Sequence, residues 1–234
     1  MKPGRDDRPE VGKQARGVPG PGNARRVALP AALLAFAVLL AGCGSGAQRS
    51  LGAAHATSDT QLRGLVPEPL PHLPDFTLTD TAGRPFNLTA AARGKLTYLY
   101  FGYTHCPNAC PATMSDLSYA VRLQPAALRR RVEVVFVTVD PRRDTRPALR
   151  AWLDHYSADF VGLTGTPAEI AAAELAAGVP PAPPEPRGHG NYAVAHSSLL
   201  FAYSPDGRSH VVYSQGFRPA DYAHDLPLLL RFGS

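Results

Sequence analysis

Apolar and polar positions after residue 73 follow the pattern of strands that alternate with helices. Two runs, Leu96–Gly102 and Val132–Val139, are almost continuously apolar or β-branched, which is typical of strands covered on both faces of a sheet. Each run is followed by a stretch with helical periodicity, and apolar runs flank the turn residues Pro205-Asp206-Gly207. The pattern predicts an α/β domain with a mixed central sheet flanked by helices and a β-hairpin near the C-terminus. The predicted strands are 75–80, 96–102, 132–139, 160–163, 198–203 and 211–213, and the predicted helices are 111–123, 146–156, one that opens at Thr166, and 219–231.

The apolar run at 27–41 predicts a targeting segment. It has 15 residues, fewer than the roughly 20 that a membrane-spanning helix needs, and it follows Arg25-Arg26. It ends in Leu40-Ala41-Gly42-Cys43, which matches the bacterial lipobox. We therefore expect residues 1–42 to be a signal peptide, Cys43 to be lipidated, residues 43–72 to form a flexible tether, and 73–234 to form the domain. An ordinary signal peptide with an incidental cysteine, or an uncleaved anchor, is the alternative.

The positive charge of the chain is concentrated in this first segment. The chain carries 24 Lys and Arg against 19 Asp and Glu, and residues 1–42 hold seven of the basic and three of the acidic residues. From Cys43 onward 17 basic and 16 acidic residues nearly cancel, and no basic patch is interleaved with aromatic residues. A nucleic-acid partner is therefore not expected.

Two cysteines lie four positions apart, between the first buried strand and the helix that follows it. Pro111 comes directly after Cys110 and suits the beginning of a helix, where backbone N–H groups would stabilise a Cys110 thiolate. Cys106 and Cys110 can then form a disulfide or bind one soft metal ion together. A purely structural disulfide is less favoured, because so short a loop constrains the unfolded chain little.

Two cysteines alone leave most metal sites incomplete, and spacing alone leaves the third ligand open among eight histidines. His196 is predicted to start a strand that reaches the same edge of the sheet as the cysteine loop. His189 lies in a Pro- and Gly-rich loop, and His105 is expected to point away from its neighbour Cys106. The remaining five are expected on the surface or in the tether: His55, His72, His155, His210 and His224.

Two acidic residues, Asp140 and Asp144, lie in the loop after the second buried strand. They could orient the cysteine site or a partner. The favoured interpretation is that they cap the helix that follows.

Four motifs together resemble the Sco/SenC family, and they occur in the same order. The resemblance covers about residues 73–232. The motifs are FGYTHCPNACPATM at 101–114, VTVDPRRDT at 137–145, TGT at 164–166 and YAVAHSSLLFAYSPDG at 192–207.

The resemblance implies a thioredoxin-like fold that binds one copper ion, as Cu(I) or Cu(II), through Cys106, Cys110 and His196. Members of the family help to assemble the copper centres of cytochrome c oxidase. Asn108 and Ala109 depart from the family pattern, in which many members carry an acidic and then a bulky apolar residue. The loss of that acidic charge could change the cysteine chemistry or partner docking, but it removes no ligand.

The expected function is therefore that of a copper chaperone and not of an enzyme. It would deliver copper to the copper-site subunit of cytochrome c oxidase, held by its lipid at the extracytoplasmic face of the bacterial plasma membrane. The alternative is a thiol–disulfide oxidoreductase that reduces the target cysteines before metallation, which needs the cysteine pair and not His196. A peroxide-reducing enzyme or a copper sensor has no specific support in the sequence.

Overall fold

The computed structural model describes residues 61–181, 184–188, 191–194 and 196–233. The predictions for the signal peptide, for Cys43 and for most of the tether fall outside these residues, and so does His189.

The described residues form a seven-stranded mixed sheet, a separate two-stranded hairpin and six helices. The strands are β1 (Thr77–Asp80), β2 (Pro85–Asn87), β3 (Leu96–Gly102), β4 (Val132–Thr138), β5 (Val161–Thr164), β6 (Pro184–Gly188), β7 (Asn191–Val194), β8 (Leu200–Tyr203) and β9 (Ser209–Tyr213). The helices are α1 (Leu88–Ala91), α2 (Ala109–Arg122), α3 (Ala126–Arg129), α4 (Arg146–Asp154), α5 (Pro167–Ala176) and α6 (Pro219–Leu229).

The strand order in the large sheet is β2-β1-β5-β4-β3-β8-β9. Strands β3, β4 and β5 are parallel, whereas β1, β8 and β9 pair antiparallel with their neighbours. The parallel strands bring the loops that follow β3 and β4 to the same edge of the sheet. A mixed thioredoxin-like α/β fold with a late hairpin, β8–β9, was predicted from the sequence and is confirmed.

The central strand β3 is buried at all seven positions, as its unbroken apolar pattern predicts. Side chains that alternate along it enter two cores. Tyr98 and Tyr100 pack on one face with residues of α2, α4 and α6, while Leu99 and Phe101 pack on the other face with residues of α5. Because both faces are covered, β3 holds the loop that follows it on a rigid support.

The chain before β1 lies along the outer strand β9. Leu65 exchanges two backbone hydrogen bonds with Val212, of 3.0 and 2.8 Å, and the Arg63 N–H donates to Asp225 at 2.9 Å. This segment is the part of the predicted tether that the structure describes. Among the described residues no helix has both the length and the apolar character needed to cross a bilayer.

Candidate metal centre

Three side chains predicted as ligands meet beyond the carboxyl end of β3. Cys106 lies in the loop after that strand, Cys110 in the first turn of α2, and His196 in the coil between β7 and β8. Their sulfur and ring nitrogen atoms all lie within 4.8 Å of one another. No other group of three or more His, Cys, Asp or Glu side chains with this geometry occurs in the part of the chain that the structure describes.

The position of Cys110 depends on a glycine in β3. Cys110 is fully buried, and a Cβ built on Gly102 would lie only 2.8 Å from its Sγ and 3.0 Å from a ring carbon of Phe136. A larger residue at 102 would therefore push the sulfur or the aromatic ring out of place. Gly102 keeps open the space that Cys110 occupies, a role that the strand pattern alone does not reveal.

The two thiols are electrostatically different. The pKa of Cys106 is lowered from 9.0 to about 5, mainly because the Cys110 thiol donates a hydrogen bond to its sulfur, with further donation from the N–H groups of Cys110 and Asn108. The Cys110 N–H lies 3.4 Å from the Cys106 Sγ. The pKa of Cys110 is raised, because its proton is held in the hydrogen bond to Cys106 and because it is buried.

This result corrects one expectation from the sequence. The N–H groups at the start of α2 were expected to stabilise a Cys110 thiolate, but they are directed at the Cys106 sulfur instead. The helix begins at Ala109, two residues before the predicted start, and the Cys110 N–H in its first turn faces the Cys106 sulfur.

His196 is oriented by its backbone neighbours. Its Nδ1 lies 3.2 Å from the Val194 carbonyl oxygen, which can only accept, so Nδ1 carries the proton. The Nε2 lone pair then faces the Cys110 Sγ at 3.3 Å. The Tyr103 ring meets the imidazole edge-on at a centroid distance of 5.1 Å, which fixes the ring plane. His196 does not start β8 as predicted but lies in the coil before it.

Asp144 supports the cysteine loop. It is fully buried, and its carboxylate accepts hydrogen bonds from the Thr104 N–H at 2.9 Å, the Thr104 hydroxyl at 2.6 Å and the Thr138 hydroxyl at 2.7 Å. These contacts tie the residues just before Cys106 to the end of β4. Carboxylates bonded in this way fix a loop more strongly than neutral acceptors do.

Asp140 supports the segment that carries His196. Its carboxylate accepts from the Tyr192 hydroxyl at 2.7 Å and forms an ion pair with Arg143. Arg143 lies over the Tyr192 ring at 3.8 Å and donates to the Tyr192 carbonyl oxygen at 3.2 Å. Tyr192 belongs to β7, two residues before Val194, so the loop after β4 braces the histidine as well as the cysteines.

The favoured interpretation of these two acidic residues as helix caps was therefore wrong. Thr145 is the N-cap of α4, and its side chain accepts from the Ala148 N–H. Asp144 instead bonds to the cysteine loop, and Asp140 bonds to Tyr192 of β7. Their partners come from segments up to 52 residues away, which a local capping pattern cannot show.

His105 lies outside the cluster, as predicted. Its ring is more than half exposed and faces Asp144, at 3.6 Å from a carboxylate oxygen. None of the other described histidines joins the cysteines in a cluster of possible metal ligands. His210 stacks on Phe232, and His155 Nδ1 donates to the Ala151 carbonyl oxygen.

The donor set restricts what the cluster can do. Thiolates are soft ligands that favour Cu(I), and a neutral imidazole accepts either oxidation state of copper. Three donors leave one side of a bound ion without a protein ligand, whereas structural zinc sites are normally closed by four. Because the two sulfurs are close and unpaired, the same residues can also form a disulfide.

Known proteins are similar to this chain in sequence and fold. A sequence profile of the SCO1/SenC family matches residues 67–231. The mitochondrial SCO2 homologue of Bos taurus is 35% identical over 142 residues, which cover 60% of this chain and 53% of the bovine protein. The chain thus spans about half the length of that relative.

Solved structures of related proteins have the same fold. The ScoI protein of Bradyrhizobium japonicum, determined with copper bound, is 33% identical, with a TM-score of 0.59 over 65% of this chain and 96% of that one. The apo Sco1 protein of Thermus thermophilus is 30% identical, with a TM-score of 0.61 over 74% of this chain and 96% of that one.

Proposed function

The chain belongs to the SCO1/SenC family, and on this basis we propose that it is a copper carrier that serves the assembly of cytochrome c oxidase. The observation that supports the proposal most strongly is the convergence of Cys106, Cys110 and His196 within 4.8 Å. Copper bound to the related ScoI protein of Bradyrhizobium japonicum supports the choice of metal.

The geometry suits a carrier better than a permanent metal site. Two thiolates and one imidazole bind copper, and the absence of a fourth protein ligand in the described cluster leaves room for an incoming ligand from a recipient. The recipient we propose is the copper-site subunit of cytochrome c oxidase. This choice rests on the resemblance of the four motifs to the family.

A second candidate function is reduction of the recipient's cysteines before it takes up copper. The specific observation in its favour is the low pKa of Cys106, about 5, beside a second thiol that can complete a disulfide. In that reaction the Cys106 thiolate attacks a disulfide sulfur of the recipient, and Cys110 then displaces the recipient thiol as an internal disulfide forms. This role needs no ligand from His196.

Copper binding itself is tested by metal content. We expect the full-length chain, reduced and purified without oxygen, to retain one copper ion, because one three-donor cluster is present among the described residues. Zinc at equal concentration should not displace it, because thiolates favour Cu(I) and because mixed nitrogen and sulfur sites bind Cu(II) more tightly than Zn²⁺. Uptake of two copper ions, or equal uptake of zinc, would contradict a single copper site.

We further propose that the protein is held at the outer face of the plasma membrane by lipid on Cys43. The Leu40-Ala41-Gly42-Cys43 sequence supports this, since a lipobox cysteine is the site of acylation. Two or more acyl chains hold a protein stably on a bilayer, at about 0.8 kcal/mol for each buried methylene.

Membrane fractionation tests the anchor. Cys43→Ser should move the protein from the membrane to the soluble fraction while leaving copper binding unchanged, because Cys43 is not one of the three clustered donors. Cys106→Ser is the control, and it should lose copper but remain in the membrane. If the Cys43→Ser protein stays in the membrane, residues 27–41 act as an uncleaved anchor.

A further inference from the structure

The Tyr100 hydroxyl is a buried polar group on the central strand β3. Tyr100 is fully buried, and its hydroxyl has no hydrogen-bond partner among the described residues. An unpaired buried hydroxyl costs free energy, and native structures contain few of them. The position of this hydroxyl therefore calls for an explanation.

Tyr100 lies against the second cysteine. A Cβ built on Gly102 would be 2.9 Å from the Tyr100 Cε1 and 2.8 Å from the Cys110 Sγ, so the ring edge and the sulfur border the same small space. Burial raises the pKa of Tyr100, and the nearby Cys110 raises it further. The phenol therefore keeps its proton and is available as a donor.

With its thiol proton in place, Cys110 offers Tyr100 only a poor acceptor. A neutral thiol sulfur is a weak acceptor, whereas a thiolate accepts strongly. Copper binding changes this, since a sulfur–copper bond forms at Cys110 and the thiol proton leaves to solvent.

We propose that Tyr100 donates a hydrogen bond to the Cys110 sulfur when that sulfur is a thiolate ligand of copper. Tyr100 is thus a positioning residue that favours the copper-bound state over the copper-free one. The proposal rests on the proposed copper site. Hydrogen bonds to a cysteine ligand also tune the electronic properties of the copper ion to which it is bound.

The chain contains a matched control on the same strand. Tyr98 is also fully buried, and its hydroxyl also lacks a partner among the described residues. Its charged and polar neighbours are Asp225 and Tyr222, not the cysteines. Tyr98→Phe and Tyr100→Phe therefore remove the same atom from the same strand, but only one removes it beside Cys110.

The test compares the full-length wild-type chain with both variants, using Cu(I) competition against a coloured chelator, the sulfur-to-copper charge-transfer band of the Cu(II) form, and thermal unfolding without copper. We expect Tyr100→Phe to weaken copper binding about tenfold, as for the loss of a hydrogen bond to a charged group. Its charge-transfer band should move to lower energy, because the sulfur becomes a better electron donor. The midpoint of its thermal unfolding without copper should equal or exceed that of the wild-type chain, because an unpaired hydroxyl is removed.

Tyr98→Phe should leave both copper readouts at the wild-type values. The proposal is overturned if Tyr100→Phe binds copper as tightly as wild type with an unmoved band, or if Tyr98→Phe weakens binding equally. If Tyr100→Phe lowers the midpoint of thermal unfolding without copper and leaves the copper affinity unchanged, Tyr100 has a purely structural role. If the wild-type chain binds no copper, the proposed function fails, and that result is separate from any difference between the variants.

Discussion

His196→Ala is expected to weaken copper binding by roughly 100-fold or more while Cys106 and Cys110 still form a disulfide. Loss of a residue that merely supports a metal ligand typically costs about 10–100-fold in affinity, so loss of a ligand should cost at least as much. The disulfide should survive, because the sulfurs belong to the loop after β3 and to α2, while the histidine lies 86 residues beyond Cys110.

The measurement is Cu(I) affinity by chelator competition together with a thiol count before and after mild oxidation. His105→Ala is the control, because it removes an imidazole next to Cys106 that faces Asp144 and not the cluster. It should retain wild-type affinity. Equal affinities for His196→Ala and wild type would exclude the imidazole as a ligand.

Cys106 is expected to ionise about four pH units below an ordinary thiol. Its pKa is lowered from 9.0 to about 5, chiefly by the hydrogen bond from the Cys110 thiol. In the reduced, copper-free chain, thiolate absorbance in the ultraviolet should therefore rise by one thiolate with a midpoint near pH 5. Below that pH Cys106 is protonated, and Cys110 should stay protonated well above neutral pH because its own pKa is raised.

A Cys43→Ser background removes the third cysteine of the chain from this titration. Cys110→Ala should raise the pH at which Cys106 is half ionised, because it deletes the hydrogen-bond donor that contributes most to the low pKa of Cys106. The prediction is wrong if no thiolate appears below pH 7, or if Cys110→Ala leaves the midpoint unchanged.

The central part of the fold could be predicted from the sequence because its signals are local. The unbroken apolar runs predict β3 and β4, and Pro205-Asp206-Gly207 predicts the hairpin between β8 and β9. The β6–β7 hairpin was missed, because the segment PEPRG at 184–188 contains two prolines, a charged pair and a glycine and shows no strand pattern.

The candidate site was predictable only in part. The spacing of Cys106 and Cys110 before a helix indicates paired sulfur chemistry, but His196 lies in coil, where no periodic pattern identifies it. Only the family resemblance selected that histidine from the eight. The resemblance does not explain why the histidine has its observed orientation.

The supporting residues were missed or misassigned because their contacts are long-range. Asp144 bonds to Thr104 across 40 residues, and Asp140 bonds to Tyr192 across 52. A sequence pattern shows neighbours within one or two helical turns, so both carboxylates were assigned to a nearby helix end. Tyr100 and Gly102 both fit an ordinary buried strand, and only the packing around Cys110 gives them a distinct role.

Cytochrome c oxidase activity in cells at limiting copper tests the proposed carrier role most directly. Cells would express the wild-type chain, His196→Ala or Cys106→Ser at matched protein levels, with copper kept low because excess metal can compensate for weak binding by mass action. If the protein carries copper, His196→Ala should lose oxidase activity as completely as Cys106→Ser does. Near-normal activity with His196→Ala, together with loss in Cys106→Ser, would contradict the carrier role and favour reduction of the recipient's cysteines.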